Sequence, residues 1–292
     1  MQKSIQASLE LQWEAVLGEG PVWNEQAARL YWVDILSGTL FCYDPSTSEN
    51  RTYDIGQHIG CVALRERGGL VMAIRSGFAF FDPAKEELIP VTDPEEGLSG
   101  NRFNDGKCDP SGRFWAGTMS YELEEGAGSL YCLDTSLKAK AKLRGITISN
   151  GLAWTDHQFF FIDTPTRKVR VFDYDAQSGE IANPSVIRSF GEDEGFPDGM
   201  TIDREGKLWI ALYGGSRVIR VDPQTGDTLF EVQLPVPKPT CCTFGGAELN
   251  ELYITTAREH MREEEIEEWP LSGSLFKASV PVRGFAASRF KG

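Results

Sequence analysis

Four short apolar strands of this 292-residue chain open with an acid or an amide immediately before a glycine: Glu19-Gly20 in LGEGPVW, Asp105-Gly106 in NRFNDGK, Asn150-Gly151 in ISNGLAW and Asp198-Gly199 in FPDGM. Oxygen donors of this kind, brought together from separate segments and completed by water, make a site for one hard divalent cation. No Cys/His set lies nearby to favour a soft one. Two to three carboxylates and an amide suit Ca²⁺, Mg²⁺ or Mn²⁺ and tolerate Zn²⁺. Any one of these dipeptides alone is ordinary turn chemistry. They amount to a site only if the chain returns each of them to the same place.

The elements that must do this repeat. A middle strand reads LYWVD at Leu30, GLVMAI at Leu70, RFWAG at Phe114, FFFID at Phe160, KLWIA at Leu208 and ELYIT at Leu252. The steps of about 40, 44, 46, 48 and 44 residues are those of propeller blades with four strands each. A third run follows every middle strand, from TLFCYDP at Thr39 to SLFKASV at Ser274. Before every middle strand come an inner strand and a tight turn at Asn24, Gly68-Gly69, Ser111-Gly112, Asp156, Gly206 or Gly245-Gly246. Such residues tolerate the positive φ that hairpin turns demand. Outer strands such as RTYDI at Arg51 and DTLFEVQL at Asp227 complete five units, and the sixth lacks one. The leading segment SIQASLELQWEA, from Ser4, belongs to no repeat, and its Leu9, Leu11 and Trp13 alternate as in a half-buried strand. It is predicted to be the outer strand of the last blade, so that the two termini close the ring. The expected fold is all-β: a six-bladed β-propeller of four-stranded blades, in a single domain over residues 1–292.

In such a meander the inner strand starts on the face to which the second strand delivers its loop. These four dipeptides open inner strands at equivalent places, so their side chains are directed into one mouth of the channel. Independent turn chemistry has no reason to choose the same end each time, which favours the cation reading. The glycines let the backbone approach the crowded axis.

A net charge of −14 disfavours nucleic acid, whose binding needs a clustered basic face. No apolar run approaches the length of a membrane span, and Met1-Gln2-Lys3 passes directly into a polar strand without a leader. A cytoplasmic monomer or dimer, with no membrane partner, is expected. The six cysteines follow no disulfide or zinc-finger spacing and are read as reduced thiols, mostly buried. The acidic stretch REHMREEEIEEW, Arg258 to Trp269, is read as a solvated loop or short helix. Of the three histidines, His58 stands at the entrance to blade two and is read as a rim residue. No G-x-S-x-G elbow is present.

Taken in order, LGEGPVW, NRFNDGKCDPSGRFWAGTM, SNGLAW followed by FIDTPTRKVRVFDYD, FPDGMTIDREGKLWIALYGG and the late TTARE resemble the regucalcin and gluconolactonase family, also called the senescence marker protein family. The similarity runs from about Leu17 to Phe276. It implies a divalent metal in the central channel and hydrolysis of sugar lactones. Carried over by residue, it makes Glu19, Asn150 and Asp198 the metal ligands, and Arg102, Asn104 and Glu122 the contacts to substrate hydroxyls. Asp105 has no ligand role in the family and is read as standing behind the ligands. The expected reaction is attack of water on a lactone carbonyl polarised by the metal, with Asp198 as catalytic base or with the water activated by the metal. The alternatives are an organophosphate triester hydrolase of similar fold and a non-catalytic calcium-binding regulatory protein. The loop from Tyr121 to Gly128 leaves the sugar unspecified.

Overall fold

Short apolar runs broken by Gly, Asn and Asp turns form six sheets, each built on antiparallel strands, around one axis in the computed structural model, which describes residues 3–292. Met1 and Gln2, on which the leaderless reading partly rests, lie outside the described residues. From the axis outward, blade one is Gly18–Asn24, Arg29–Asp34, Thr39–Asp44 and Glu49–Asp54. Blade two is Ile59–Leu64, Leu70–Ile74, Gly77–Asp82 and Glu87–Thr92. Blade three is Asn101–Cys108, Phe114–Ser120, Gly128–Leu133 and Ala139–Ile146; blade four is Ser149–Trp154, Gln158–Asp163, Lys168–Tyr174 and Ile181–Ser189. Blade five runs Phe196–Ile202, Leu208–Tyr213, Arg217–Val221 and Thr228–Gln233, and blade six Pro239–Gly245, Glu251–Thr256 and Leu275–Ser279. Each inner strand packs against its two neighbours, blade six against blade one included.

The expected closure is present. Ser8–Leu11 pairs antiparallel with Leu275–Ser279, setting Ser8 opposite Lys277 and Leu9 opposite Phe276. A register shift between Leu9 and Leu11 breaks the expected alternation. Leu9 is therefore 41% exposed, whereas Leu11 and Trp13 pack between blades six and one. The sequence pattern did not foreshadow a second attachment: Lys3–Gln6 runs parallel to Thr228–Gln233 and adds a fifth strand to blade five.

The core is divided into six wedges, one in each gap between adjacent blades. Trp32, Trp115 and Trp209 lie on second strands and are at most 1% exposed, Trp115 and Trp209 at equivalent positions and Trp32 one residue further on, facing the other side of its blade. Burial of an indole of this size contributes on the order of 4 kcal/mol. Two of these indoles are also tied to the turn that precedes them. Asp109 and Asp203 each accept the Trp115 or Trp209 Nε1–H at 2.9 Å, and each takes a guanidinium as well, Arg113 at 2.6 Å and Arg220 at 2.7 Å. The repeated D-x-x-G-x-x-W pattern is therefore structural.

The acidic stretch is a loop with one short helix, Glu263–Glu268, as expected. All six cysteines are free, and only Cys42 is not fully buried. Residues 283–292 form a strap across the turn face, with Gly284 N–H bonded to Leu249 O, Phe290 N–H to Leu64 O and Lys291 N–H to Gly112 O. No described helix is long and apolar enough to cross a membrane.

Replacing Asp109 with Ala leaves the buried Arg113 without its carboxylate and should cost about 3 kcal/mol or more of unfolding free energy. Urea denaturation measures this, and an unchanged midpoint would show that the network is idle.

Candidate active site at the hub

Every inner strand slips register at the same depth. The shifts lie between Glu19 and Val22, Ile59 and Cys61, Phe103 and Gly106, Asn150 and Leu152, Pro197 and Met200, and Pro239 and Cys241. A bulge turns a side chain out of the pleat, and here it turns each toward the axis. Four of the bulges carry the acid or amide; blades two and six bring Cys61 and Cys241 instead. The glycines serve two different needs. Gly20 and Gly151 take φ of +52° and +31°, whereas at Gly106 a Cβ would meet Cys61 Sγ at 2.5 Å and at Gly199 it would strike Cys241 Sγ.

The hub is electrostatically unbalanced. Glu19, Asp105 and Asp198 are 4%, 3% and 7% exposed. Each carboxylate accepts the N–H of the glycine that follows it. Asp198 Oδ1 and Asp105 Oδ2 have no hydrogen-bond partner. Burial, and then the Asp105 charge, push the Glu19 carboxyl up to about 8. Burial, then Glu19 and Asp105, hold Asp198 well above the usual carboxylate range. Asp105 is raised by burial and relieved by Lys107. Among the described residues no cation lies within ion-pair distance of these three; Arg102 acts on Glu19 and Asp198 from farther off. Buried carboxylates of this kind either keep a proton or take a cation.

A relay of hydrogen bonds orients the amides. Arg102 Nη1 donates to Asn104 Oδ1 at 2.7 Å, and Asn104 Nδ2 donates to Asn150 Oδ1 at 2.9 Å. Asn150 Nδ2 donates to Thr164 Oγ1 at 2.9 Å, and the Thr164 hydroxyl donates to Pro197 O at 2.8 Å, next to Asp198. Asn150 Oδ1 is thereby fixed toward the hub with a lone pair to spare. Buried aspartates closing the second strands hold the approaches: Asp34 accepts the N–H groups of Val16 and Leu17, and Asp163 that of Ile148.

Of the residues singled out in the sequence, Glu19, Asp105, Asn150, Asp198, Arg102 and Asn104 are thus gathered, all buried. Asn104 has both ends of its amide engaged within the protein, one of them also on Ser149 O. Glu122 is apart from them: it is exposed on the loop after Phe114–Ser120, and its backbone N–H bonds Ser120 Oγ. Its neighbour Tyr121 reaches across the mouth to His58 Nδ1 at 2.7 Å. His58 is held below its ordinary value by burial and then by Arg102 and Arg75. An open cavity of about 460 Å³ adjoins Arg102, with Arg75, Asp93 and Asn101 in its wall.

Two participants escaped the sequence reading. Thr164 follows the second strand of blade four, and Glu259 lies in the loop after the second strand of blade six. The Glu259 backbone is pinned by Val16 O and by Lys238 Nζ, and its charge is the strongest favourable one on Arg102. Both stand inside segments that carry the family resemblance, FIDTPT and TTARE, but neither repeats between blades.

Residues 17–258 match the model of the SMP-30/Gluconolactonase/LRE-like region. The chain belongs to that family. It is 40% identical over 290 residues to YvrE of Bacillus subtilis (strain 168), a provisionally assigned sugar lactone lactonase, covering 99% of both chains. It is also 40% identical over 283 residues to regucalcin of Homo sapiens, covering 94% of this chain and 95% of that one. Among solved structures, the calcium-binding protein regucalcin of Agrobacterium tumefaciens superposes with a TM-score of 0.95 at 26% identity, over 100% of each chain. A gluconolactonase of Xanthomonas campestris shares the family's fold at a TM-score of 0.77 and 21% identity, over 94% of this chain and 90% of that one.

With divalent cations removed, folded Glu19 keeps a proton up to about 8, while the unfolded chain releases it near the ordinary 4.5. The stability this group contributes is therefore full below 4.5 and is lost as pH rises through 8. Thermal melts in chelator should show the midpoint falling over that window, with Glu19→Gln flattening the fall. A midpoint that rises with pH there would contradict the burial of Glu19.

Proposed function

We propose that this protein hydrolyses a sugar lactone to the aldonic acid, with one divalent cation held by Glu19, Asn150 and Asp198. The observation that carries the reading is the uncompensated carboxylate charge at the hub, with Asp198 Oδ1 left unpartnered beside an oriented amide oxygen. The donor set fits a hard cation of the Ca²⁺, Mg²⁺ or Mn²⁺ kind, since every donor is oxygen. Among the described residues no three His, Cys, Asp or Glu side chains group as ligands; the set proposed here needs only two carboxylates and the amide, with Asp105 behind them. Bound there, the cation supplies a Lewis acid that polarises a carbonyl and lowers the pKa of water.

The chain's own residues do the rest. Asp198 takes a proton from the attacking water, whose oxygen bonds to the carbonyl carbon as the ring C–O bond breaks and the ring oxygen is protonated. Its raised proton affinity makes it a better base than an aspartate at the ordinary value, although a neighbouring cation draws that affinity down. Among the described residues Arg102 hydrogen-bonds through Nη1 alone, to Phe103 O and Asn104 Oδ1, leaving its other donors for ring hydroxyls. Asn104 contributes by holding Asn150 and Arg102 in place, and Glu122 approaches the substrate from the exposed side of the mouth. Polar groups at fixed positions suit a polyhydroxylated ring better than an apolar phosphotriester, and positioning of this kind is worth several kcal/mol. The partner is then a small molecule rather than nucleic acid or membrane, and the protein works in the cytoplasm as a monomer or dimer.

A second reading is favoured by the relatives named regucalcin and by the calcium-binding structure: a calcium-binding protein without turnover. Fold does not separate the two. A pH-indicator screen of sugar lactones with the metal-stripped protein does, each divalent cation being added back in turn. Acid release with one lactone and one cation, lost in Glu19→Gln, is the expected outcome; silence across the panel moves the weight to calcium binding. Asp198→Asn should lower turnover by at least about 100-fold, the scale of lost general-base catalysis. Activity retained with intact cation binding would remove its role as base. Asn104→Ala, by freeing Asn150, should weaken cation affinity by about 10–100-fold in calorimetric titration.

A further inference from the structure

On the turn face, opposite the mouth, the channel widens into a second cavity of about 510 Å³. Its inner end stops at Gly20, Asp105, Gly106 and Cys241, directly behind the hub side chains. Most of its wall is apolar, with Val22, Val62, Leu152 and Ile202 supplied by the inner strands. The strap forms one side, where Phe285 stands 54% exposed.

Two cations interrupt this apolar wall. Among the described residues Lys107 Nζ makes a single hydrogen bond, to Met200 O at 2.6 Å, and neither it nor Arg204 makes an ion pair, although an ammonium carries three donors. Arg204 spends Nε on Gly284 O. Of the acids in the wall, Asp105 is buried with Oδ1 on the Gly106 N–H, and Asp156 stands exposed in its turn. In a chain of net charge −14, two cations without ion pairs on a preformed apolar cavity are a recognition pattern.

We propose that this cavity binds a small amphipathic anion: an apolar ring system or short chain bearing one carboxylate- or sulfonate-type head. The body lies against Val22, Val62, Leu152 and Phe285, and the head accepts the remaining protons of Lys107, with Arg204 adding charge at the rim. The size agrees with sites for molecules of this class, which run from about 300 to 1,000 Å³. The site is separate from the lactone chemistry and is reached from the other face of the ring.

The test uses the full chain and two probes, anilinonaphthalene sulfonate and the neutral phenylnaphthylamine, which lacks the sulfonate. Fluorescence titration should give one saturable site for the sulfonate. Lys107→Met should weaken it about tenfold, the scale of one charge-assisted hydrogen bond, and leave the neutral probe unchanged. Ala286→Trp, or Ala287→Leu should the first disturb folding, fills the cavity from the strap and should abolish binding of both probes; circular dichroism melts check each variant. No saturable binding, or binding indifferent to the strap variants, overturns the site. Binding that responds to the strap variants but not to Lys107→Met overturns the anionic head.

Discussion

Three carboxylates buried at one axis, with no cation within ion-pair distance among the described residues, set the terms for the rest of this structure. No single blade could hold such a group, because a lone sheet leaves the side chains of its inner edge in water. Only the closed ring excludes solvent from them all at once. The inner-strand bulges are the device that directs the side chains, and the small residues between them are the consequence. Where two acids and an amide approach one another, any added Cβ at Gly106 or Gly199 meets a cysteine sulfur from a neighbouring blade.

The hydrogen-bond relay solves a different problem. An amide oxygen competes poorly with carboxylates unless it is held, and Asn150 is held from both sides, by Asn104 and by Thr164. The donors run in one direction, from the guanidinium of blade three to the carbonyl of Pro197 in blade five. Binding, orientation and charge at the hub are therefore properties of several blades together. This explains why Arg102 and Asn104 are buried as deeply as Glu19, Asn150 and Asp198.

The parts of this arrangement that were legible in the sequence are those that repeat. Middle strands such as LYWVD and KLWIA fixed the blade period, and the unpaired leading segment fixed the closure, because β pairing in a meander is local and periodic. The acid-Gly and amide-Gly dipeptides were readable for the same reason. Thr164 and Glu259 were not, since each occurs once and acts across blades. The exposure of Glu122 was hidden too, because it depends on the path of a loop with no counterpart in the other repeats. The strap and the parallel pairing of Lys3–Gln6 depend on the two chain ends, where no periodicity applies.

That double attachment at the amino end has a bearing on how the molecule assembles. A segment that precedes blade one in the chain is the outermost strand of blades five and six, through Lys3–Gln6 on blade five and Ser8–Leu11 on blade six. Blades one to four pair strands from neighbouring stretches of chain and need nothing distant. Blade five has four local strands and gains a fifth from that segment, but blade six has only three and takes its fourth from more than two hundred residues away, the kind of long-range pairing that raises contact order and slows folding. Until that segment docks, blade six exposes the edge of Leu275–Ser279, one strand short of its neighbours, and the ring is left open to edge-to-edge pairing there.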